Sequence, residues 1–435
     1  MTAPHMPNRR TKLIGNQSNW AGNYTYSAAR LHRPETVEQV QELIIRRSKL
    51  KALGTRHSFN GIADSPEDLI SLEQFDQVVA LDRERRTVTV NAGVRYGPLC
   101  RHLYREGYAL HNLASLPHIS VAGACATATH GSGDRNGNLA TAVSAMEIVT
   151  ADGEVSVLSR EQHGEQFHGA VIGLGGLGVV TRLTLDIVLT FDMRQDVYEN
   201  LPLAQLEDHF DDIVSSAYSV SLFTDWRSAR FNQVWFKRRV TDGASSELEP
   251  ELFEATLATS HRHPIAGLSA VNCTEQMGIP GPWHERLPHF RMDYTPSSGE
   301  ELQTEYFVPR QHAFAAFHAI DRLREHVAPL LQISEVRTIA ADKLWMSPCY
   351  EQACVSIHFT WKKNWPAVRK LLPMIEQQLA SLNARPHWGK LFTMPPTRLQ
   401  SLYAKLPDFQ QLLRYYDPQG KFRNAFLDKY IFGAP

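Results

Sequence analysis

The spacing of apolar positions changes several times along the first third of the chain, and each change marks an element. Val37, Val40, Leu43 and Ile44 recur at helical spacing and share one face. Thr36 precedes them with Gln39 three residues on, the capping-box spacing, and Pro34 lies just ahead, so a helix is predicted over residues 34–50. Leu50–Leu53 then reads as a short strand that Gly54 turns into a loop. Residues 69–72 and 87–94 follow as strands, the second alternating with period two, and a helix near Tyr96 ends before Gly107. Asp152-Gly153 between the strand-like runs 146–150 and 154–158 is a hairpin signal.

Beyond Leu189 aromatic-rich segments take over, at 218–226, 231–236, 290–294 and 306–308, separated by turn clusters at 280–282 and 296–299. Phe314, Phe317, Ile320 and Leu323 place a helix over 311–326. Alternating strands and helices of this kind define an α+β protein. In Ser-Glu-Val-Arg-Thr and Ser-Ile-His-Phe-Thr, strand periodicity puts Glu335 with Arg337, and His358 with Thr360, on one face, with Val336, Ile357, Phe359 and Trp361 on the other. Two adjacent strands would present all four polar groups together, and Lys390 adds an ammonium. The plainer alternative is a solvated sheet face with surface ion pairs.

Two stretches break the patterning. In residues 114–133 nearly every residue from Ser120 to Gly133 is small or hydroxylated, which lets backbone approach a bulky ligand and donate N–H groups to anionic oxygens. A buried packing helix is the competing reading. The polar groups of Ser115, Ser120, Thr127, Thr129, His130 and Ser132 would all need partners there, which favours a polar ligand. The second stretch is the loop Gly54-Thr55-Arg56-His57-Ser58-Phe59-Asn60. Residues 173–178, Gly-Leu-Gly-Gly-Leu-Gly, match the dinucleotide fingerprint literally, but a helix precedes them and a strand follows. That order is the reverse of what places phosphates on a helix N-terminus, so a nicotinamide fold is rejected for a glycine turn closing on a ligand.

A length of 435 residues implies two or three domains. A net charge of −1 argues against a general nucleic-acid or anionic-membrane binder. The five cysteines lack any Cys-x-x-Cys pair, which favours free thiols in a reducing compartment. With neither a secretory signal nor an apolar run of membrane length, a soluble cytoplasmic protein is expected. His284 and His289, like His163 and His168, sit five apart, which turns a helix by ~500° and leaves the rings ~140° apart, so no metal is implied.

The motifs Gly54-x-x-His57-Ser58-Phe59-Asn60, Ser115 to Gly123, Thr129-His130-Gly131-Ser132-Gly133 and Arg385-Pro386-His387-Trp388-Gly389-Lys390, in this order, resemble the vanillyl-alcohol-oxidase-type flavoproteins, nearest their sugar-alcohol branch. The resemblance runs from about Asn19 to Phe426. It implies a two-subdomain PCMH-type FAD-binding domain over 1–189, an α+β cap over 190–392, and a return to the first domain over 393–435. It also implies FAD joined covalently to His57. Further cofactor contacts expected are Gly54, Thr55, Arg56, Ser58, Asn60, Ser115, Ser120, Gly123, Thr127, Thr129, His130, Gly131, Ser132, Gly175, Val180 and Asn424. The implied substrate wall is Ser115, Glu335, Arg337, Thr360 and Lys390, with Arg337, Lys390 and His358 as catalytic groups; either His358 or Lys390 takes the proton. Thr55-Arg56 and Ala124-Cys125 depart from the pairs typical of the branch. The implied reaction oxidises the terminal alcohol of an alditol such as xylitol or sorbitol, with O2 reduced to hydrogen peroxide. An aldonolactone oxidase or dehydrogenase of the same fold is the alternative. Partners are then a small polyol and O2, without nucleic acid or membrane, and a monomer is the simplest state.

Overall fold

Thr36 starts the first helix as its spacing predicts: its hydroxyl accepts from the Gln39 N–H at 3.4 Å, while the Gln39 carboxamide accepts from the Glu35 N–H at 2.8 Å. In this computed structural model, which describes residues 11–13, 17–240, 249–294 and 300–433, the helix spans Val37–Arg46 and buries Val40 and Ile44. It stops short of residue 50 because Arg47 is already extended. Strand Leu50–Leu53 follows and pairs in parallel with Asp68–Ser71, which pairs in parallel with Arg30–His32. A second, antiparallel sheet of five strands contains the Asp152-Gly153 hairpin, joining Val143–Val149 to Val155–Ser159. Its strand Thr87–Asn91 ends three residues before the expected limit, since the chain turns at Gly93, where a Cβ would collide with the Leu72 carbonyl. The glycine run lies, as read, between helix Arg160–Val171 and strand Val179–Asp186, with Gly175 at φ 66° and Gly178 at φ 154°.

The second half builds a ten-stranded sheet among the described residues. Its middle runs Arg230–Arg239, Ser219–Thr224, Leu331–Ile339, Cys354–Lys362, Glu301–Pro309. Period-two alternation sends Val336, Ile357, Phe359 and Trp361 to one face, where they share a core with Phe210, Phe317 and Leu372 from helices Gln205–Ser215, Ala313–Asp321 and Trp365–Leu379. The other face is left for polar residues. The helix expected over 311–326 breaks into Ala313–Asp321 and Arg324–Val327, because the Leu323 N–H closes a tight turn on the Ile320 carbonyl at 2.8 Å. The turn cluster at 296–299 lies outside the described residues.

Residues after 393 return to the first half. Helices Pro396–Ser401, Leu406–Tyr416 and Ala425–Tyr430 contribute Leu399, Phe409, Leu413 and Leu427 to the core that holds Phe167 and Ile172. Lys51, fully buried, donates to the carbonyls of Leu174 at 3.1 Å, Gly175 at 3.0 Å and Phe422 at 3.2 Å. Burial lowers its pKa to about 7. No helix among the described residues is long and apolar enough to cross a membrane, and all five cysteines are buried free thiols.

Candidate active site

A cavity of about 450 Å³ runs from the glycine turn, past His57, to the polar face of the large sheet. That is within the ~300–1,000 Å³ usual for cofactor and small-molecule sites. One side is built from three loops. Gly54 and Gly123 flank the Ser120 hydroxyl so closely that a Cβ at either would lie 3.0 or 2.8 Å from it. The Ser120 N–H in turn donates to the Thr55 hydroxyl at 3.3 Å. Three residues other than glycine adopt positive φ on these loops: Arg56 at 64°, Ala128 at 57° and Leu174 at 50°. Strain of this kind, of order 1–3 kcal/mol each, persists where surroundings over-determine the backbone, and it is concentrated here on one wall.

His57 projects from the first loop with Trp20 stacked on it at 5.4 Å and His118 tilted against it at 4.8 Å. Its Nδ1 lies 3.0 Å from the Thr55 hydroxyl, whereas its Nε2 is closed off from solvent and has no hydrogen-bond partner among the described residues. Burial, reinforced by His118 and Lys390, lowers its pKa to about 3, so the ring is neutral. The neutral imidazole thus lines the cavity with one ring nitrogen unpaired among the described residues.

The loop is fastened to the segment that carries Lys390. The Phe59 N–H donates to Gly389 O at 2.7 Å, and the Asn60 amide donates to the carbonyls of Trp388 and Lys390, both at 2.8 Å. Two motifs more than three hundred residues apart therefore form one unit, and Lys390 Nζ sits 4.9 Å above the Phe59 ring.

Facing this unit is the sheet wall. Glu335 and His358 are direct cross-strand neighbours, as are His358 and Glu305, and Gln303 with Thr360 fills the next row. These are not surface ion pairs: Glu335 is 6% and Arg337 7% exposed. Arg337 donates to Glu305 at 2.8 Å and lies 3.5 Å from Glu335. His130 reaches Glu305 from the cradle at 3.1 Å while its other ring nitrogen faces the Gly131 carbonyl at 2.8 Å. Lys390 donates to the Gln303 amide oxygen, which orders Gln303 to donate onward to Glu301. Two acids and two bases thus balance in a buried space, the condition under which buried charge is tolerable. Burial pushes the Glu335 carboxyl upward, but Arg337 and His289 outweigh it and hold it well below the usual range. Burial lowers His358 to about 3 and Lys390 to about 8. At neutral pH the wall offers a neutral imidazole, a carboxylate, a guanidinium and a readily deprotonated ammonium.

The cavity wall includes Gly54, Thr55, Arg56, His57, Ser58, Ser115, Ser120, Gly123, Thr127, Thr129, His130, Gly175 and Val180 on the cradle side. Glu335, Arg337, His358, Thr360 and Lys390 line the opposite side. Four expected cofactor contacts stand elsewhere. Asn60 is spent on the Trp388 and Lys390 carbonyls, and Ser132 donates to the Val220 carbonyl. Gly131 is packed against Leu113 and Asn112, and Asn424 donates to the carbonyls of Gly61, Ile62 and Asp64. None of the four lines the cavity. Gln303, Glu305 and Trp20 line the cavity without being among the expected site residues, and His289, weighed from the sequence only as half of a rejected metal pair, lines it with them. Gln303 and Glu305 carried the same two-apart signal as Glu335 and Arg337, between Leu302, Thr304 and Tyr306; His289 comes from a loop and had no such signal.

This cavity fits FAD: a glycine cradle that a Cβ would fill, an orphaned imidazole nitrogen and a charged wall across from it. Residues 28–159 match the FAD binding domain family and residues 296–430 the D-arabinono-1,4-lactone oxidase family. The chain also superimposes on cholesterol oxidase from Brevibacterium sterolicum with a TM-score of 0.77 at 14% identity, over 99% of both chains, which is a likeness of fold. Fold and site together define an FAD-dependent oxidoreductase. An alditol oxidase of a Streptomyces species is 49% identical over 96% of this chain and 99% of its own length. Mouse L-gulonolactone oxidase, at 25% over 95% of the chain and 98% of its own length, is a more distant relative. The chain belongs to the vanillyl-alcohol-oxidase-type family of FAD-linked oxidases, in its alditol oxidase branch.

Proposed function

We propose that this protein oxidises the terminal primary alcohol of alditols such as xylitol and sorbitol to the aldose, with O2 as acceptor and hydrogen peroxide as product. On this reading residues 1–189 and 393–435 hold the cofactor, 190–392 form the substrate cap, and FAD is joined to the His57 imidazole. The observation that carries it is the buried wall of Glu305, Glu335, Arg337, His358 and Thr360, with part-buried Lys390 beside it, set across one cavity from His57, so that two carboxylates face two cations. A chain of hydroxyl groups, each both donor and acceptor, matches such a mixed surface.

The chemistry supplied by the bound cofactor is hydride acceptance from carbon followed by reduction of O2. Glu335 and Ser115 anchor neighbouring hydroxyls and so fix which carbon is presented. Arg337 and Lys390 stabilise the negative charge that develops on the reacting oxygen, beside a wall whose Glu335 and Arg337 are buried. His358, neutral and facing the cavity, can accept a hydrogen bond from the reacting hydroxyl, but burial that lowers it to about 3 leaves it a weak base. Five buried free thiols suit a cytoplasmic setting.

The family match over 296–430 keeps a second reading in view, oxidation of an aldonolactone. Xylitol or sorbitol added anaerobically to the purified yellow protein should bleach the flavin, and admitted air should yield peroxide stoichiometrically. Bleaching by L-gulono-1,4-lactone with none by either polyol would reverse the assignment.

A further inference from the structure

We infer that His289, oriented by Lys237, fixes Glu335 as a pure hydrogen-bond acceptor and thereby makes the site select a hydroxyl over a carbonyl beside the reacting carbon; the inference rests on the polyol reading above. His289 belongs to no strand. It enters the wall from the loop after the turn Trp283–Glu285 and is wedged edge-on against Phe223 at 5.4 Å and Trp235 at 5.3 Å. Its Nε2 lies 2.8 Å from Glu335 Oε1, and its Nδ1 lies 3.3 Å from Lys237 Nζ. Lys237, on strand Arg230–Arg239, also donates to the carbonyls of Leu287 at 2.6 Å and Pro288 at 3.0 Å, so its three protons have three acceptors. An ammonium at Nδ1 makes that nitrogen the acceptor. The single proton of the neutral ring therefore resides on Nε2, aimed at Glu335.

Glu335 Oε1 is thus taken by His289 with Arg337 close by, and the carboxylate stays ionised. Its second oxygen has no hydrogen-bond partner among the described residues, and the residue lines the cavity. An ionised carboxylate can only accept. A substrate hydroxyl satisfies it by donating, whereas the carbonyl oxygen of a lactone in the same place would oppose it. Sites built around such a buried acceptor discriminate strongly, because the mismatched ligand leaves the group unpaired. His289 and Lys237 are positioning residues here, acting on substrate through Glu335.

The test is kinetic, on flavin-loaded protein at pH 6, below the value of about 7 to which burial lowers Lys237. The variants are His289→Phe, which keeps the ring and loses the donor, His289→Gln, which keeps a donor, and Lys237→Met. His289→Phe should raise KM for xylitol at least tenfold with a much smaller change in kcat, and narrow the ratio of xylitol to L-gulono-1,4-lactone kcat/KM by a similar factor. His289→Gln should recover the xylitol KM to within about threefold, and Lys237→Met should fall between. Equal losses on both compounds, or no change in KM, would overturn the inference while leaving polyol oxidation intact. A wild type that turns over lactone but no polyol would overturn the functional reading itself. Should His289→Phe fail to fold, nitrogen-15 NMR of the wild-type imidazole decides: a proton on Nε2 alone is expected, and one on Nδ1 refutes the orientation.

Discussion

The cradle loops and the sheet wall enclose one cavity by different means. The cradle works by absence: glycines at 54 and 123 where a side chain would strike Ser120, strained backbone at 56, 128 and 174, and a histidine with a nitrogen left unpaired. The wall works by pairing: Glu305 and Arg337 meet charged partners on neighbouring strands or loops, while Arg337 Nε keeps no hydrogen-bond partner among the described residues. The difference is one of tolerance. A neutral ring held by one hydrogen bond can be removed at less cost to folding than a member of a buried ion network, whose loss leaves uncompensated charge behind.

That contrast sets the order of expected effects. Arg337→Ala should be the most severe, because Glu305 and Glu335 would then share a buried space with one cation fewer. Unfolding in denaturant should show a loss of about 3–5 kcal/mol, and polyol turnover should drop by roughly 10²–10³ or more. A stability loss under about 1 kcal/mol would mean that the wall is not one network. His57→Ala should break function on the other side with little structural penalty. Flavin should appear wholly in the supernatant after acid precipitation, with the unfolding free energy within about 1 kcal/mol of wild type; flavin retained in the pellet would refute the covalent attachment. The mildest test is pH. Lys390 acts as a cation, the form present below its pKa of about 8 and lost above it, so kcat/KM should fall as pH rises through that value. Lys390→Arg should move this basic limb to higher pH by more than one unit. His358, lowered to about 3, should add no acid limb above pH 5.

Much of this contrast was legible in the sequence, and the illegible part has a physical reason. Thr36, Leu50–Leu53 and the Asp152-Gly153 hairpin are local, decided by residues within a few positions of one another. Glu335, Arg337, His358 and Thr360 were found because alternation fixes their face; that the face is buried could not follow, since charge alone suggests exposure. Register explains it: strand Glu301–Pro309 and the loop bearing His289 bring Glu305 and the imidazole from elsewhere in the chain. Asn60 and Asn424 are expected as cofactor contacts by resemblance; their amides donate to protein carbonyls more than three hundred residues away, pairings that leave no local signal. The break after Asp321 escaped a spacing argument because Ile320 before it and Leu323 after it both remain buried.

Lys51 and Asn424 bind residues 51, 174–175 and 61–64 to residues 422–424. Synthesis proceeds from the amino end, so these clasps cannot close until residues 422–424 have left the ribosome. Contacts spanning such separations are late and slow to form. Until those residues emerge, Lys51 and the loop at 61–64 lack these partners, so this side of the cavity is fastened only afterwards.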